Sequence, residues 1–152
     1  HSVGDMLLRT VAATLTNSVR SYDYVARFGG DEFAAICFGC RPGEIEIPIR
    51  RIQQRMQDLQ LDTVEQPLTL SIGAVVAAEG ENIWRPMDLV NAADVCLYAA
   101  KEHGRDCAFF AELANPESEV VPVRMPEDSP VETASCDNPV NVSALTSQLA
   151  AR

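Results

Sequence analysis

The sequence is poor in positive charge and in long apolar runs. It has 12 basic against 22 acidic residues, a formal net charge of −10 at pH 7, and a single lysine, Lys101. This balance argues against nonspecific nucleic-acid binding, which needs a basic surface. No apolar run approaches the length of a membrane span, so we expect no membrane contact from this segment.

Cysteines are too few and too irregular for a disulfide framework. The five of them are an odd number scattered through predicted core elements, which favours a reducing compartment and a cytoplasmic domain, whether or not a longer parent protein is membrane-anchored. Cys37 and Cys40 form a C-x-x-C, which is also found in redox and zinc sites. Because no second pair lies at ligand spacing, we interpret Cys37 as a buried strand residue.

Apolar periodicity predicts the element order α-β-β-α-β-α-β over residues 1–113. The predicted helices are Val3 to Arg20, Ile45 to Leu59 and Met87 to Glu102. Two predicted strands lie directly before and directly after residues 29–32, and two more cover Pro67 to Val76 and Asp106 to Phe110. A polar loop is predicted at 79–82. This order is typical of an α/β layer arrangement in which helices cover a sheet that contains antiparallel strands.

The composition changes at Ala114. Residues 114–152 hold five of the nine prolines and no aromatic residue. We therefore expect an acidic, disordered tail or linker, with one or two marginal helical turns at Val142 to Ala151.

Residues 29–33, Gly-Gly-Asp-Glu-Phe, form the most informative segment. A glycine pair between two apolar, strand-like runs predicts a β-hairpin. Asp31 and Glu32 then lie at its tip, where their oxygens suit Mg²⁺ or Mn²⁺, with substrate phosphates completing the coordination. The alternative is a charged turn that simply faces water.

This pentapeptide and four further segments resemble the GGDEF domains of diguanylate cyclases. The further segments are Gly4-Asp5, Arg20 to Asp23, Ser71-Ile72-Gly73, and Ala93-Asp94 with Leu97 to Lys101 and Gly104-Arg105. The resemblance covers about residues 1–110. It implies a nucleotidyl-cyclase-like sheet with a ferredoxin-like core, flanked by helices.

The resemblance also implies an enzyme that condenses two GTP molecules into cyclic di-GMP and releases pyrophosphate, working as a homodimer. In-line phosphoryl transfer of this kind depends on positioning and on charge neutralisation. Asp31 and Glu32 would be catalytic metal ligands. Gly29 and Gly30 would let the nucleotide approach the hairpin backbone, although such a pair alone is usually only a turn.

Three further residues would bind the substrate. Asp5 would accept hydrogen bonds from guanine, while Lys101 and Arg105 would hold the triphosphate. The simpler interpretations are an acid at a helix N-terminus and cations at a helix C-terminus. Asp106 departs from the family, which more often has asparagine there, and places an acid beside the proposed clamp.

Arg20 and Asp23 resemble the family's RxxD inhibitory site for cyclic di-GMP, with Arg51 from the same or a partner domain completing it. Arginine suits this role because its planar fork stacks on bases and binds phosphate bidentately. An ordinary solvated ion pair is the alternative.

The resemblance implies that the chain begins after the family's first strand, which would be central and carry another metal-binding aspartate, and after a guanine-reading asparagine. We therefore expect poor stability and no cyclase activity from this segment alone. Two alternatives remain open: a noncatalytic GTP or cyclic di-GMP sensor attached to a phosphodiesterase or other output, and a plain α/β interaction module.

Overall fold

The computed structural model describes residues 3–59, 68–77 and 84–126 with their side chains, together with the backbone of residues 142–151. The protein has mixed α/β architecture, and its first seven elements follow the predicted order. The helices are α1 (Val3–Ser18), α2 (Glu46–Gln57) and α3 (Pro86–Glu102). The strands are β1 (Tyr24–Gly29), β2 (Glu32–Phe38), β3 (Leu68–Ala77), β4 (Ala108–Leu113), β5 (Val123–Arg124) and β6 (Val142–Ala151).

One predicted strand is displaced along the chain. The strand expected at Asp106 to Phe110 is Ala108–Leu113. The reason is a run of left-handed backbone after α3, where φ is +95° at Gly104, +63° at Arg105 and +49° at Asp106. An extended strand cannot start until this run ends. The predicted polar loop at 79–82 lies outside the described residues.

The C-terminal segment differs most from expectation. The sheet has the order β1-β2-β6-β3-β4-β5, so β6 lies at its centre and pairs antiparallel with both β2 and β3. The prediction of a disordered or marginally helical segment at 142–151 is therefore wrong, and β5 is a second exception within the predicted tail. Residues 127–141 of that tail lie outside the described residues. Hydrogen-bonded ladders on both sides stabilise β6 as a strand, whereas an isolated helical turn in water is only marginally stable.

Helices cover both faces of the sheet. On one face, α1 and α2 pack against buried residues of β2 and β3, with Val11, Ile49 and Phe33 at 2% exposure or less. On the other face, α3 packs against β3 and β4. This arrangement brings the β1–β2 turn close to the last turn of α3. Among the described residues, no helix is long and apolar enough to cross a membrane.

Candidate nucleotide site

A two-residue turn, Gly30-Asp31, connects β1 to β2. Gly29 pairs with Glu32 across it, and Gly30 has φ of +43°, a conformation that glycine adopts without strain. The Arg27 guanidinium braces the turn by donating to the Gly30 carbonyl oxygen from Nε at 2.8 Å and from the second amino group at 2.6 Å. The acidic pair is therefore held on a fixed turn.

A β-bulge directly precedes this turn. Arg27 pairs with Phe33 and Gly29 with Glu32, which leaves Phe28 as the extra residue of β1. A bulge redirects side chains, and bulges often lie next to functional sites. The Phe28 ring is 65% exposed and lines a cavity beside the turn.

This first cavity, of about 220 Å³, lies between the hairpin and α3. Its lining residues are Phe28, Glu32, Phe33, Asp94, Leu97, Tyr98 and Lys101. Lys101 Nζ lies 3.9 Å from Glu32 Oε1, and both side chains keep contact with solvent. An exposed ion pair at this distance stabilises the fold by only about 0–1 kcal/mol, so both groups remain available to a charged ligand.

Arg105 stands apart from that cavity. It follows α3 in the left-handed run, where its N–H donates to the Ala100 carbonyl oxygen at 3.1 Å. Its side chain is exposed and does not line the cavity. The structure thus brings Lys101, but not Arg105, to the hairpin.

Asp5 lies on the opposite side of the hairpin. It lines a second cavity, of about 300 Å³, between α1 and β1. Arg9, Arg27 and Phe33 share that lining, and the buried Phe33 contributes to both cavities. Asp5 and Lys101, assigned from the resemblance to base and phosphate recognition, therefore flank one hairpin from two sides, whereas Arg105 does not.

Arg20, Asp23 and Arg51 line a third, smaller cavity of about 60 Å³ between β2 and α2. Asp23 accepts hydrogen bonds from two backbone N–H groups, those of Arg20 at 2.8 Å and Phe38 at 2.9 Å. Arg51 Nε is buried without a hydrogen-bond partner among the described residues. A buried donor of this kind is usually satisfied by some partner, so this cavity is suited to an acceptor-rich ligand.

Cys37, on the wall of the third cavity, is a buried strand residue, which confirms the interpretation of the C-x-x-C. Burial, with smaller effects of Asp23 and Cys40, raises its pKa to about 12. At pH 8 its thiolate is then about a thousandfold scarcer than that of an ordinary cysteine.

We expect iodoacetamide to leave Cys37 unmodified in the folded protein and to modify it in urea, as measured by peptide mass mapping. Equal modification in both states would contradict this environment.

Sequence reasoning missed three residues that shape the site: Arg27, Phe28 and Tyr98. Phe28 and Tyr98 are each 65% exposed, and both line the first cavity. Their positions carried a signal. Arg27 and Phe28 directly precede the glycine pair, and Tyr98 lies one helical turn before Lys101.

The sequence is similar to known proteins over most of its length. Residues 1–107 match the family model described as diguanylate cyclase, GGDEF domain. The chain is 34% identical over 119 residues to the probable diguanylate cyclase DgcT of Escherichia coli K12, covering 76% of this chain and 26% of that protein. It is 36% identical over 109 residues to the diguanylate cyclase DosC of the same strain, covering 70% and 23%.

A third relative has two named activities. The bifunctional diguanylate cyclase/cyclic di-GMP phosphodiesterase MucR of Pseudomonas aeruginosa is 33% identical over 113 residues, covering 74% of this chain and 16% of MucR. The chain thus spans about a quarter or less of the length of these relatives. Since the family model covers the greater part of the sequence, the chain belongs to the GGDEF domain family.

Proposed function

We propose that this chain is part of a diguanylate cyclase catalytic domain that binds GTP and contributes to making cyclic di-GMP. The observation that carries this proposal is the acidic turn beside a cation: Asp31 and Glu32 follow the bulge, and Lys101 lies 3.9 Å from Glu32. The names of the relatives support the reaction. Because GTP is a cytoplasmic nucleotide, the proposal places the domain in the cytoplasm.

Asp31 and Glu32 fit a divalent metal ion in chemistry and in number. Both are hard carboxylate donors that are partly accessible at the tip of the hairpin, and Mg²⁺ commonly takes one or two protein carboxylates plus phosphate oxygens. In the described residues, no group of three or more potential ligands lies together, so the nucleotide would complete the coordination. When bound, such an ion supplies charge neutralisation at the phosphoryl oxygens.

In the proposed reaction, the 3′-oxygen of one GTP attacks the α-phosphorus of another. The bond from that phosphorus to the bridging oxygen breaks, pyrophosphate leaves, and the hydroxyl proton passes to solvent or a nearby base. Two such steps close the ring, which requires two domains facing each other as a homodimer. Lys101 would hold phosphate oxygens as a mobile point charge, and Arg105, whose side chain does not line the first cavity, would have to reach them from outside it.

The base would bind in the second cavity. Asp5 offers two acceptor oxygens to the N1–H and amino group of guanine, whereas adenine presents an acceptor at N1. This pairing would favour GTP over ATP. The phosphates would then extend past Phe33, which lines both cavities, toward Lys101.

The third cavity would hold one edge of the product. At about 60 Å³ it is much smaller than cyclic di-GMP, so it would anchor only a base edge or a phosphate, with most of the ligand outside. The guanidinium of Arg20 and the buried Nε of Arg51 would supply the donors.

This segment by itself is expected to be inactive as a cyclase. The sequence of β6, which pairs with β2 beside the acidic turn, contains no acidic residue, and Gln148 is the partner of Glu32 in the ladder. The central strand therefore adds no carboxylate to Asp31 and Glu32. Sustained conversion of GTP into cyclic di-GMP by the purified 152-residue chain would contradict this expectation.

Replacing Asp5 by asparagine tests the base contact. Asparagine has one acceptor and one donor group, so it cannot accept from both guanine donors. We expect GTP binding, measured by calorimetry with Mg²⁺ present, to weaken about tenfold, with ATP binding unchanged.

The matched control is Asp58→Asn, which removes another exposed carboxylate, at the C-terminal end of α2. It should leave both affinities unchanged. If the unmodified chain binds ATP as tightly as GTP, the proposed guanine recognition is wrong.

A further inference from the structure

The two halves of the sheet are joined through β6. On one side of it lie β1 and β2, and on the other lie β3, β4 and β5. Every residue of β2 pairs with β6, and β3 pairs with it from Leu68 to Val76. Removing β6 would leave two unpaired backbone edges facing each other across the middle of the sheet.

The edges on either side of β6 are those of interior strands. Every β3 residue except Thr69 is buried, and Phe33, Ala35 and Cys37 of β2 are buried as well. Buried backbone groups without hydrogen-bond partners destabilise a fold. Pairing of an extended segment with both edges, between β2 and β3, is therefore strongly favourable.

The sequence of β6 suits this position. Its ten residues, VSALTSQLAA, contain no charge, no proline and no glycine. Charged side chains would be unfavourable between the two buried strands, and proline would remove a ladder hydrogen bond. The position between β2 and β3 thus requires only an extended, uncharged segment that runs antiparallel to both of these strands.

β6 is also separated from the preceding described element by a long stretch of sequence. The preceding described element is the two-residue strand β5, and 15 residues, 127–141, lie between the two described segments. Connection length has only a weak effect on the entropy of closure. The ladders to β2 and β3, together with contacts to α3, hold β6, and a separate peptide of the same sequence would offer the same groups.

We propose that the position between β2 and β3 is a binding site for an extended peptide strand, which the chain fills with its own residues 142–151 and which the same sequence fills when supplied as a separate molecule. This inference does not depend on GTP binding or catalysis. It assigns to the C-terminal segment the role of an exchangeable central strand.

The test uses the full 152-residue chain carrying Leu145→Pro. Residue 145 is paired with Ala35 and Ala74, so proline there removes a ladder donor at the centre of the sheet. A fluorescein-labelled peptide of residues 142–151 is then titrated and followed by anisotropy. We expect the variant to bind this peptide about tenfold or more tightly than it binds a peptide carrying the same proline, and more tightly than the unmodified chain does.

Val121→Pro is the matched control, because Val121 is exposed and lies outside the strands. It should bind the peptide no better than the unmodified chain. A folded Leu145→Pro variant that does not distinguish the two peptides would overturn the proposal.

If Leu145→Pro does not fold, hydrogen exchange of the unmodified chain decides. Exchangeability requires that amides of 142–151 are protected but exchange earlier than those of α3 and β4. Exchange at the rate of an unstructured peptide, or only together with global unfolding, would contradict it.

Discussion

Replacing Gly73 by alanine is expected to lower the free energy of unfolding by about 3 kcal/mol or more, and the melting temperature by roughly 10 °C. Gly73 lies in the middle of β3, against α3. A Cβ atom there would lie 2.2 Å from the Leu97 nitrogen and 2.3 Å from the Ala93 carbonyl oxygen. Both are backbone atoms of a helix, so no side-chain rotation relieves the overlap. The helix must move away from the sheet.

The matched control is Gly29→Ala. Nothing lies within 4 Å of a Cβ at Gly29, and its φ is not in the left-handed range. Thermal unfolding followed by circular dichroism should show a change of no more than about 1 kcal/mol for this variant. Similar losses of unfolding free energy in both variants would mean that α3 does not lie in close contact with β3 at Gly73.

The position of Gly73 in a strand could be predicted from the sequence, but the reason for a glycine there could not. The segment Ser71-Ile72-Gly73 contributed to the resemblance, but nothing in the local pattern says why glycine stands there. The reason is a contact between β3 and α3, about twenty residues apart in the chain. The spacing of apolar residues predicted both elements, whereas the distance between β3 and α3 is a property of the packed pair.

The central strand was beyond local prediction. The sequence VSALTSQLAA has few apolar anchors and follows a proline-containing acidic stretch, so composition favoured disorder. Strand formation at such a segment is decided by the neighbours available to it, here β2 and β3, and not by its own propensity. The expectation of poor stability assumed an open position that β6 occupies.

The site was predictable where it is local. The acidic turn of residues 29–33 was located from the glycine pair and its flanks, and the structure places that turn at the end of β1. The bulge at Phe28 and the Arg27 brace arise from cross-strand register, which the sequence does not display. The position of Arg105 depends on three consecutive left-handed residues, two of which are not glycine, an unfavourable conformation that propensity would not predict.

Asp31→Asn, made in a longer protein that contains this domain and its preceding segment, is expected to reduce cyclic di-GMP synthesis by about a hundredfold or more. Asparagine matches aspartate in size and is tolerated in tight turns, so the hairpin should be retained while one carboxylate charge is lost. As the proposed metal ligand, Asp31 is expected to contribute several kcal/mol of charge stabilisation in the transition state, and about 2.7 kcal/mol already corresponds to a hundredfold. Product is quantified by chromatography from GTP at saturating Mg²⁺.

Binding of cyclic di-GMP separates loss of chemistry from loss of folding. The third cavity, lined by Arg20, Asp23 and Arg51, lies between β2 and α2 and does not include Asp31, so Asp31→Asn should bind cyclic di-GMP as the unmodified protein does. Asp58→Asn, at the exposed end of α2, should leave synthesis unchanged.

If Asp31→Asn retains both synthesis and signalling output, Asp31 is not a catalytic ligand. If the unmodified protein makes no product but its output still responds to GTP or cyclic di-GMP, the domain is a sensor. The two functions therefore differ in one measurable respect, which is whether the output requires the charge of Asp31 or only an occupied cavity.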